Sequence, residues 1–207
     1  MLYITRFAIL ALFVGAFVFM LLPRKTTFIG FQGFAGPFKF MTVWNHALQI
    51  IVFGYFTLFG REERRYHSYF ERLFVLTTAT STVVVTMFWG LVFSGRFKDT
   101  DNIPWGLNHI QHTMPIFATF LELYLHEHKY GSLGGDLFDI GAYGIIYGLF
   151  MSLCKYINGW WPYPFLEELY LRDWVFMVGG TLAFFLFSHL IWRGVHSLRH
   201  VAKKIKQ

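Results

Sequence analysis

Two groups of polar residues interrupt hydrophobic stretches of this 207-residue sequence, and their types and spacing suit acyl-transfer chemistry. The first group lies on one helix face, at i, i+3, i+4 and i+7: Thr42, Asn45, His46 and Gln49. The second lies at i, i+3 and i+4 of another helix: Asn108, Gln111 and His112. A histidine can take the proton of a threonine hydroxyl as the oxygen attacks an acyl carbon. Thr42 and His112 are therefore the candidate nucleophile and base.

These residues also have ordinary structural explanations. A threonine that begins a helix is more often an N-cap, and histidines within membranes often hydrogen-bond to a neighbouring helix. Asn45 and Asn108 are candidate donors to the oxyanion of an ester-cleavage intermediate, and they could equally join neighbouring helices. The spacing is therefore compatible with both a catalytic and a structural role.

The hydrophobic stretches around these residues are long enough to cross a lipid bilayer. The sequence is 55% hydrophobic and 21% aromatic but only 14% charged, whereas soluble domains carry about a quarter charged residues. A span needs roughly 20 apolar residues. Six stretches fit, at about 2–22, 41–60, 73–95, 106–127, 137–157 and 174–194. We therefore predict an all-α integral membrane bundle of about six transmembrane helices, a single domain over residues 1–207 with a basic tail at 195–207.

In this topology the second and fourth spans run in the same direction across the bilayer. Thr42 lies near the start of its span and His112 about a turn and a half into its own. At about 1.5 Å rise per residue, their depths differ by roughly 6–9 Å. Both residues therefore belong to the same half of the bilayer, where the hydroxyl and the imidazole can meet.

The distribution of basic residues predicts the orientation and argues against one class of partner. Eleven Lys and Arg residues lie on the side of the termini and seven on the other, so we expect cytoplasmic or matrix-side termini. An endomembrane, meaning the endoplasmic reticulum or the plasma membrane, is favoured over the mitochondrial inner membrane. The net charge of +6 does not indicate nucleic-acid binding, because the basic residues flank hydrophobic stretches and fill the tail, which suits lipid head groups.

Three segments of the sequence resemble the androgen-induced gene 1 family. They are residues 39–42 (KFMT) followed by Asn45 and Gln49, residues 103–113 (IPWGLNHIQHT) and residues 159–165 (GWWPYPF). The resemblance, which extends from about residue 38 to 195, implies a multi-span hydrolase that cleaves the ester between a fatty acid and the hydroxyl of a hydroxy fatty acid. The family's threonine nucleophile and its histidine correspond to Thr42 and His112, which leaves His109 as a packing or supporting residue.

The sequence departs from the family pattern in two places. The loop at residues 96–104 is short and lacks a Tyr-Pro element, and the third helix begins Arg72-Leu73 and contains no proline. These differences could alter a lid, a substrate entrance or local helix bending. They leave room for a second interpretation, in which the chain is an accessory subunit of a larger membrane complex that keeps the fold without the activity.

A third interpretation is a membrane redox protein with a haem held by two histidines. The intramembrane candidates for its ligands are His46, His109, His112 and His189. Of these, His46 and His112 suit facing helices at matched depth. A diiron enzyme is disfavoured, because the sequence lacks the several clustered histidine boxes of that class.

The remaining polar residues of the spans receive structural interpretations. We interpret residues 126–128 (His-Glu-His) as a solvated polar cap at a helix end, and Glu122, Thr113 and Ser188 as packing or interface residues. We expect no metal site and no cofactor. The expected partners are membrane lipids and a fatty acyl ester substrate.

Overall fold

The computed structural model describes residues 2–22, 31–60, 67–95, 104–128 and 131–205, and the regular structure within these ranges is entirely helical. The long helices are α1 Leu2–Leu21, α2 Met41–Phe59, α3 His67–Phe93, α4 Trp105–His112, α5 Met114–Leu125, α6 Leu133–Asn158 and α7 Leu171–Ile205. Each predicted span overlaps a helical segment, and the fourth is divided into α4 and α5. The predicted all-α membrane bundle is confirmed.

Four of the helices are long and apolar enough to cross a membrane by themselves: α1, α3, α6 and α7. The helix α2 has 19 residues, but Asn45, His46 and Gln49 lower its mean hydropathy. The helices α4 and α5 are each too short to span a membrane, since the helix is interrupted between them. The two predicted spans that carry the candidate site are therefore the two that do not cross a membrane as one long apolar helix.

The helix α3 lies at the centre of the bundle. Half of its apolar stretch is buried, against 22% for α1 and α6 and 17% for α7. It contacts α2, α5, α6 and α7, and the apolar packing forms clusters around Phe13, Phe74 and Phe185. The outer helices present apolar side chains to lipid, so polar groups on α2 and α3 are shielded from it.

The break in the fourth span lies at Thr113, whose backbone leaves the helical region at φ −131° and ψ −50°. Pro115 lies in the first turn of α5. Proline has no backbone N–H and its ring clashes with the preceding turn, so a helix usually stops before it. The carbonyl oxygen of His112, the last residue of α4, accepts a hydrogen bond from the Trp89 indole at 2.9 Å. The break therefore fixes His112 at a helix end inside the bundle.

Residues 31–40 lead into α2 and are fastened to the end of α6. The Asn158 amide accepts a bond from the Phe34 N–H at 2.7 Å and donates to the Phe34 carbonyl at 3.3 Å. Gly33 makes this approach possible, because it has φ 76° and a Cβ there would lie 2.3 Å from Asn158 Oδ1. The Tyr163 hydroxyl accepts from the Met41 N–H at 3.2 Å. These bonds position the first turn of α2.

A buried ion pair joins α1 to α5 at the opposite end of α2. Arg6 and Glu122 are each 1% exposed. The Arg6 Nε atom lies 3.0 and 3.1 Å from the two Glu122 carboxylate oxygens, and Arg6 Nη2 bonds the same group. Arg6 Nη1 donates to the Phe56 carbonyl at 3.0 Å. Glu122, interpreted from the sequence as a packing or interface residue, lies at a contact between helices and forms an ion pair with Arg6, which in turn bonds α2.

His128 completes this ionic cluster, which comprises Arg6, Glu71, Glu122 and His128. Its Nδ1 atom lies 2.9 Å from a Glu71 oxygen and its Nε2 atom 3.3 Å from Glu122. Burial alone would lower the pKa of His128, but the two carboxylates outweigh that effect and raise it. The predicted solvated cap is correct for exposed Glu127 and wrong for His128, which is 2% exposed.

Two basic residues counted for the orientation are also buried, Arg6 on one side and Lys39 on the other. Neither is available to a lipid head group. Because one is lost from each side, the excess of basic residues on the side of the termini is unchanged.

Candidate active site

Thr42 is the second residue of α2 and is partly buried. The N-cap of the helix is Phe40, which provides no side-chain cap, so Thr42 does not serve as the N-cap that its position suggested. Within the described part of the chain the Thr42 hydroxyl makes no hydrogen bond, unlike Thr57, whose hydroxyl bonds to a backbone carbonyl at 2.6 Å. The Thr42 hydroxyl is therefore free to bind another group.

Asn45 is fully buried one turn further along α2. Its Oδ1 atom accepts from the hydroxyls of Thr80 at 2.8 Å and Ser81 at 3.1 Å, both on α3. Gln49 donates to Ser81 at 2.7 Å, which turns the serine hydroxyl toward Asn45. The amide orientation of Asn45 is thereby fixed, and its Nδ2 atom is left without an acceptor in the described structure.

His46 is also fully buried, on the same face of α2. Its Nε2 atom lies 3.1 Å from the backbone carbonyl of Phe13 on α1. A carbonyl can only accept, so Nε2 carries the proton of this bond and the neutral ring keeps a lone pair on Nδ1. That Nδ1 atom has no partner among the described residues.

His112 is buried at the end of α4, 6% exposed. Its ring stacks on Phe88 of α3, with centroids 3.5 Å apart and planes 4° from parallel. Its Nδ1 atom is buried and has no hydrogen-bond partner within the described ranges. His46 lies close enough to interact with it electrostatically. The imidazole of His112 is therefore held in place by packing while Nδ1 is free.

Asn108 and His109 occupy the preceding turn of α4. Asn108 is buried, and its Oδ1 atom lacks a donor in the described structure. His109 shares a 3.0 Å hydrogen bond with the Thr113 hydroxyl and lies between the rings of Trp89 and Trp105, at 5.3 and 4.4 Å. His109 thus stabilises the helix break. The Asn108 Oδ1 atom, by contrast, remains available to accept a hydrogen bond.

The structure brings the two polar groups to neighbouring helices without joining the predicted pair. The helices α2 and α4 are in contact, and Thr42 shares a helix face with His46, which lies near His112. No hydrogen bond links Thr42 to His112. No group of three or more His, Cys, Asp or Glu side chains within the described ranges is arranged to hold a metal ion.

Sequence reasoning missed the side chains of α3 that surround the site. Residues 77–82 (TTATST) carry five hydroxyls in a hydrophobic helix. Two of these, Thr80 and Ser81, orient Asn45. This hydroxyl-rich run was a readable signal. The packing of Phe88 and Trp89 against His112 left no comparable signal in the sequence, because it depends on contacts between helices.

The sequence profile of the FAR-17a/AIG1-like protein family matches residues 3–197. The chain belongs to the FAR-17a/AIG1-like family. It is 26% identical over 181 residues to the human androgen-induced gene 1 protein, a match that covers 77% of this chain and 76% of that protein. It is 28% identical over 171 residues to the androgen-dependent TFPI-regulating protein of Mesocricetus auratus, a match that covers 75% of this chain and 71% of that protein. No solved structure matches the chain significantly. The family resemblance is confirmed, and the match includes every helix that positions Thr42 and His112.

Proposed function

We propose that this FAR-17a/AIG1-like protein is a membrane-embedded threonine hydrolase that cleaves fatty acid esters. The observation that carries the proposal is the buried His112 Nδ1 atom, which has no hydrogen-bond partner among the described residues. The partly buried Thr42 hydroxyl, on the contacting helix α2, likewise makes no hydrogen bond to any described residue. Buried polar atoms are normally satisfied, and exceptions call for an explanation such as a catalytic role. A bound ester would supply both missing partners.

The chemistry proceeds through an acyl-threonine. His112 takes the Thr42 proton as Oγ1 attacks the ester carbonyl. The tetrahedral intermediate collapses, the bond to the alcohol oxygen breaks, and His112 returns the proton to that oxygen. Water then attacks the acyl-threonine with His112 again as the base. The products are the fatty acid and the hydroxyl-bearing fragment, and Thr42 is regenerated.

Asn45 is better suited than Asn108 to stabilise the oxyanion. An oxyanion needs hydrogen-bond donors that are oriented before the reaction. The Asn45 amide is oriented by Thr80 and Ser81 and retains a free Nδ2 donor. By contrast, no side-chain hydrogen bond within the described residues orients the Asn108 amide. We therefore assign the oxyanion role to Asn45 and a structural role to Asn108 and His109.

Hydrolysis of a fatty acid ester of a hydroxy fatty acid by the purified protein in lipid nanodiscs tests the proposal. We expect Thr42→Ala and His112→Gln to abolish turnover, and Asn45→Ala to lower kcat by about 10²–10³-fold. Thr181→Ala is the matched control, because Thr181 is also partly buried and makes no side-chain hydrogen bond in the described structure.

Wild-type turnover by Thr42→Ala would refute the mechanism. A wild-type protein without esterase activity that always co-purifies with a large membrane complex would favour the accessory-subunit interpretation.

A further inference from the structure

His46 is a buried imidazole one helical turn after the candidate nucleophile. The helix α2 is continuous over Met41–Phe59, so Thr42 and His46 are neighbours at i and i+4, with Cβ atoms about 5–6 Å apart. Side chains on a helix lean toward its N-terminus and cover the preceding turn. The His46 ring therefore leans toward the turn that carries Thr42.

The His46 ring has a fixed orientation and a fixed tautomer. Its Nε2 atom donates to the Phe13 carbonyl at 3.1 Å, because a carbonyl can only accept. The ring meets the Phe13 ring edge-on, with centroids 4.9 Å apart, and lies parallel to the Phe17 ring at 6.3 Å. The Nδ1 atom is consequently an oriented acceptor, and no described residue donates to it.

His112 presents the same kind of atom from the neighbouring helix. The helix α4 contacts both α1 and α2, and Ile110 and Met114, on either side of His112 in the sequence, pack against the apolar cluster that contains Phe13. His46 and His112 lie close enough to interact electrostatically. The His112 Nδ1 atom is also buried without a donor among the described residues. Contacting helices thus bring two unpartnered acceptors to the region of the nucleophile.

A single water molecule can satisfy both acceptors. Buried polar atoms without a protein partner are typically bonded to ordered water, and water has two O–H donors. The second half of the proposed reaction consumes one water, which must attack the acyl carbon on Thr42 Oγ1. The hydrocarbon region of a bilayer contains no water, so a hydrolytic water inside the bundle needs polar groups that hold it.

We propose that His46 holds the water that hydrolyses the acyl-threonine. The inference rests on the proposed function and adds a catalytic residue to its second half. One O–H of the water donates to His46 Nδ1 and the other to His112 Nδ1. As the water oxygen bonds to the acyl carbon, His112 takes the proton that faces it. The bond from the acyl carbon to Thr42 Oγ1 then breaks and His112 gives its proton to Oγ1, while the hydrogen held by His46 leaves with the fatty acid.

The test separates formation of the acyl-threonine from its hydrolysis. In stopped-flow assays with p-nitrophenyl decanoate in lipid nanodiscs, release of p-nitrophenolate reports acylation, and peptide mass spectrometry reports acyl-Thr42. We expect His46→Leu to acylate at about the wild-type rate and to hydrolyse the adduct about 10–10²-fold more slowly, since misplacing a reacting group costs that much. His46→Gln should restore part of the hydrolysis, because its amide can donate to Phe13 and accept from water. The control is His189→Gln, a buried histidine on α7 that lies 3.4 Å from Asp136, and it should behave like wild type.

Accumulation of acyl-Thr42 in His46→Leu with unchanged acylation supports the inference, because a merely structural change would slow both steps. Equal slowing of both steps, or wild-type hydrolysis of the adduct, overturns the inference and leaves the proposed hydrolase function standing. A wild-type protein that forms no acyl-Thr42 and hydrolyses nothing overturns both together. If thermal unfolding shows that His46→Leu is not folded, His46→Phe, which keeps a ring beside Phe13 and Phe17, replaces it with the same expected results.

Discussion

The substitution Glu122→Gln removes the central charge of the ionic cluster while keeping the size of the side chain. Glu122 faces Arg6 and His128, and all three side chains are at most 2% exposed. Without the carboxylate, the Arg6 guanidinium stays buried with no anionic partner among the described residues, next to the Phe56 carbonyl and the Phe56 ring. Breaking a buried ion pair by removing one partner costs about 3–5 kcal/mol.

For a chain of this length each kcal/mol lowers the Tm by roughly 2–4 °C. We therefore expect Glu122→Gln to lower the Tm in detergent micelles by roughly 6–20 °C. The matched control is Glu167→Gln, which breaks the exposed pair with Lys155 at 2.6 Å. Exposed pairs contribute at most about 1 kcal/mol, so the control should shift by only a few degrees.

A double-mutant cycle tests the assignment to this pair. Arg6→Met combined with Glu122→Gln should be less destabilised than the sum of the single variants, with a coupling of about 1–3 kcal/mol. Equal Tm values for Glu122→Gln and the Glu167→Gln control would contradict this prediction. So would additive destabilisation by Arg6→Met and Glu122→Gln.

Two further predictions concern pH and the loop before α2. The raised pKa of His128 means that its stabilisation is complete below the unfolded pKa near 6.5 and is lost as pH rises through the higher folded value. Melting curves should therefore show stability falling toward alkaline pH, and His128→Gln should flatten this dependence; an unchanged slope contradicts it. Gly33→Ala places a Cβ 2.3 Å from Asn158 Oδ1 at φ 76° and should cost at least about 1–2 kcal/mol. Gly90→Ala, with open space around it, should not destabilise the protein, and equal melting of the two variants would be the contrary result.

Hydropathy predicted the helices because lipid imposes a simple length and composition on each span. The division of the fourth span was not predicted, although Pro115 was its visible cause. The polar stripe on α2 was predicted correctly as a set of interior groups, since unpaired polar side chains are excluded from lipid. Its partners Thr80 and Ser81 required knowledge of which helices touch.

The ionic cluster shows where local sequence is insufficient. The local sequence around His128, which follows Glu127, has the polar composition of a solvated helix end. Its partner Glu71 lies 57 residues away in the sequence, and no local pattern encodes that distance. The same holds for Lys39, which has the flanking position of a lipid-facing lysine and is instead enclosed by Trp160 and the segment before α2.

The central claim, nucleophilic attack by Thr42, is tested most directly by covalent labelling. A fluorophosphonate probe for serine and threonine hydrolases is reacted with wild-type protein in nanodiscs, and the modified residue is identified by peptide mass spectrometry. We predict an adduct on Thr42 that is lost in His112→Gln and persists in Thr181→Ala. An adduct on a different residue, or equal labelling of Thr42→Ala, contradicts the account.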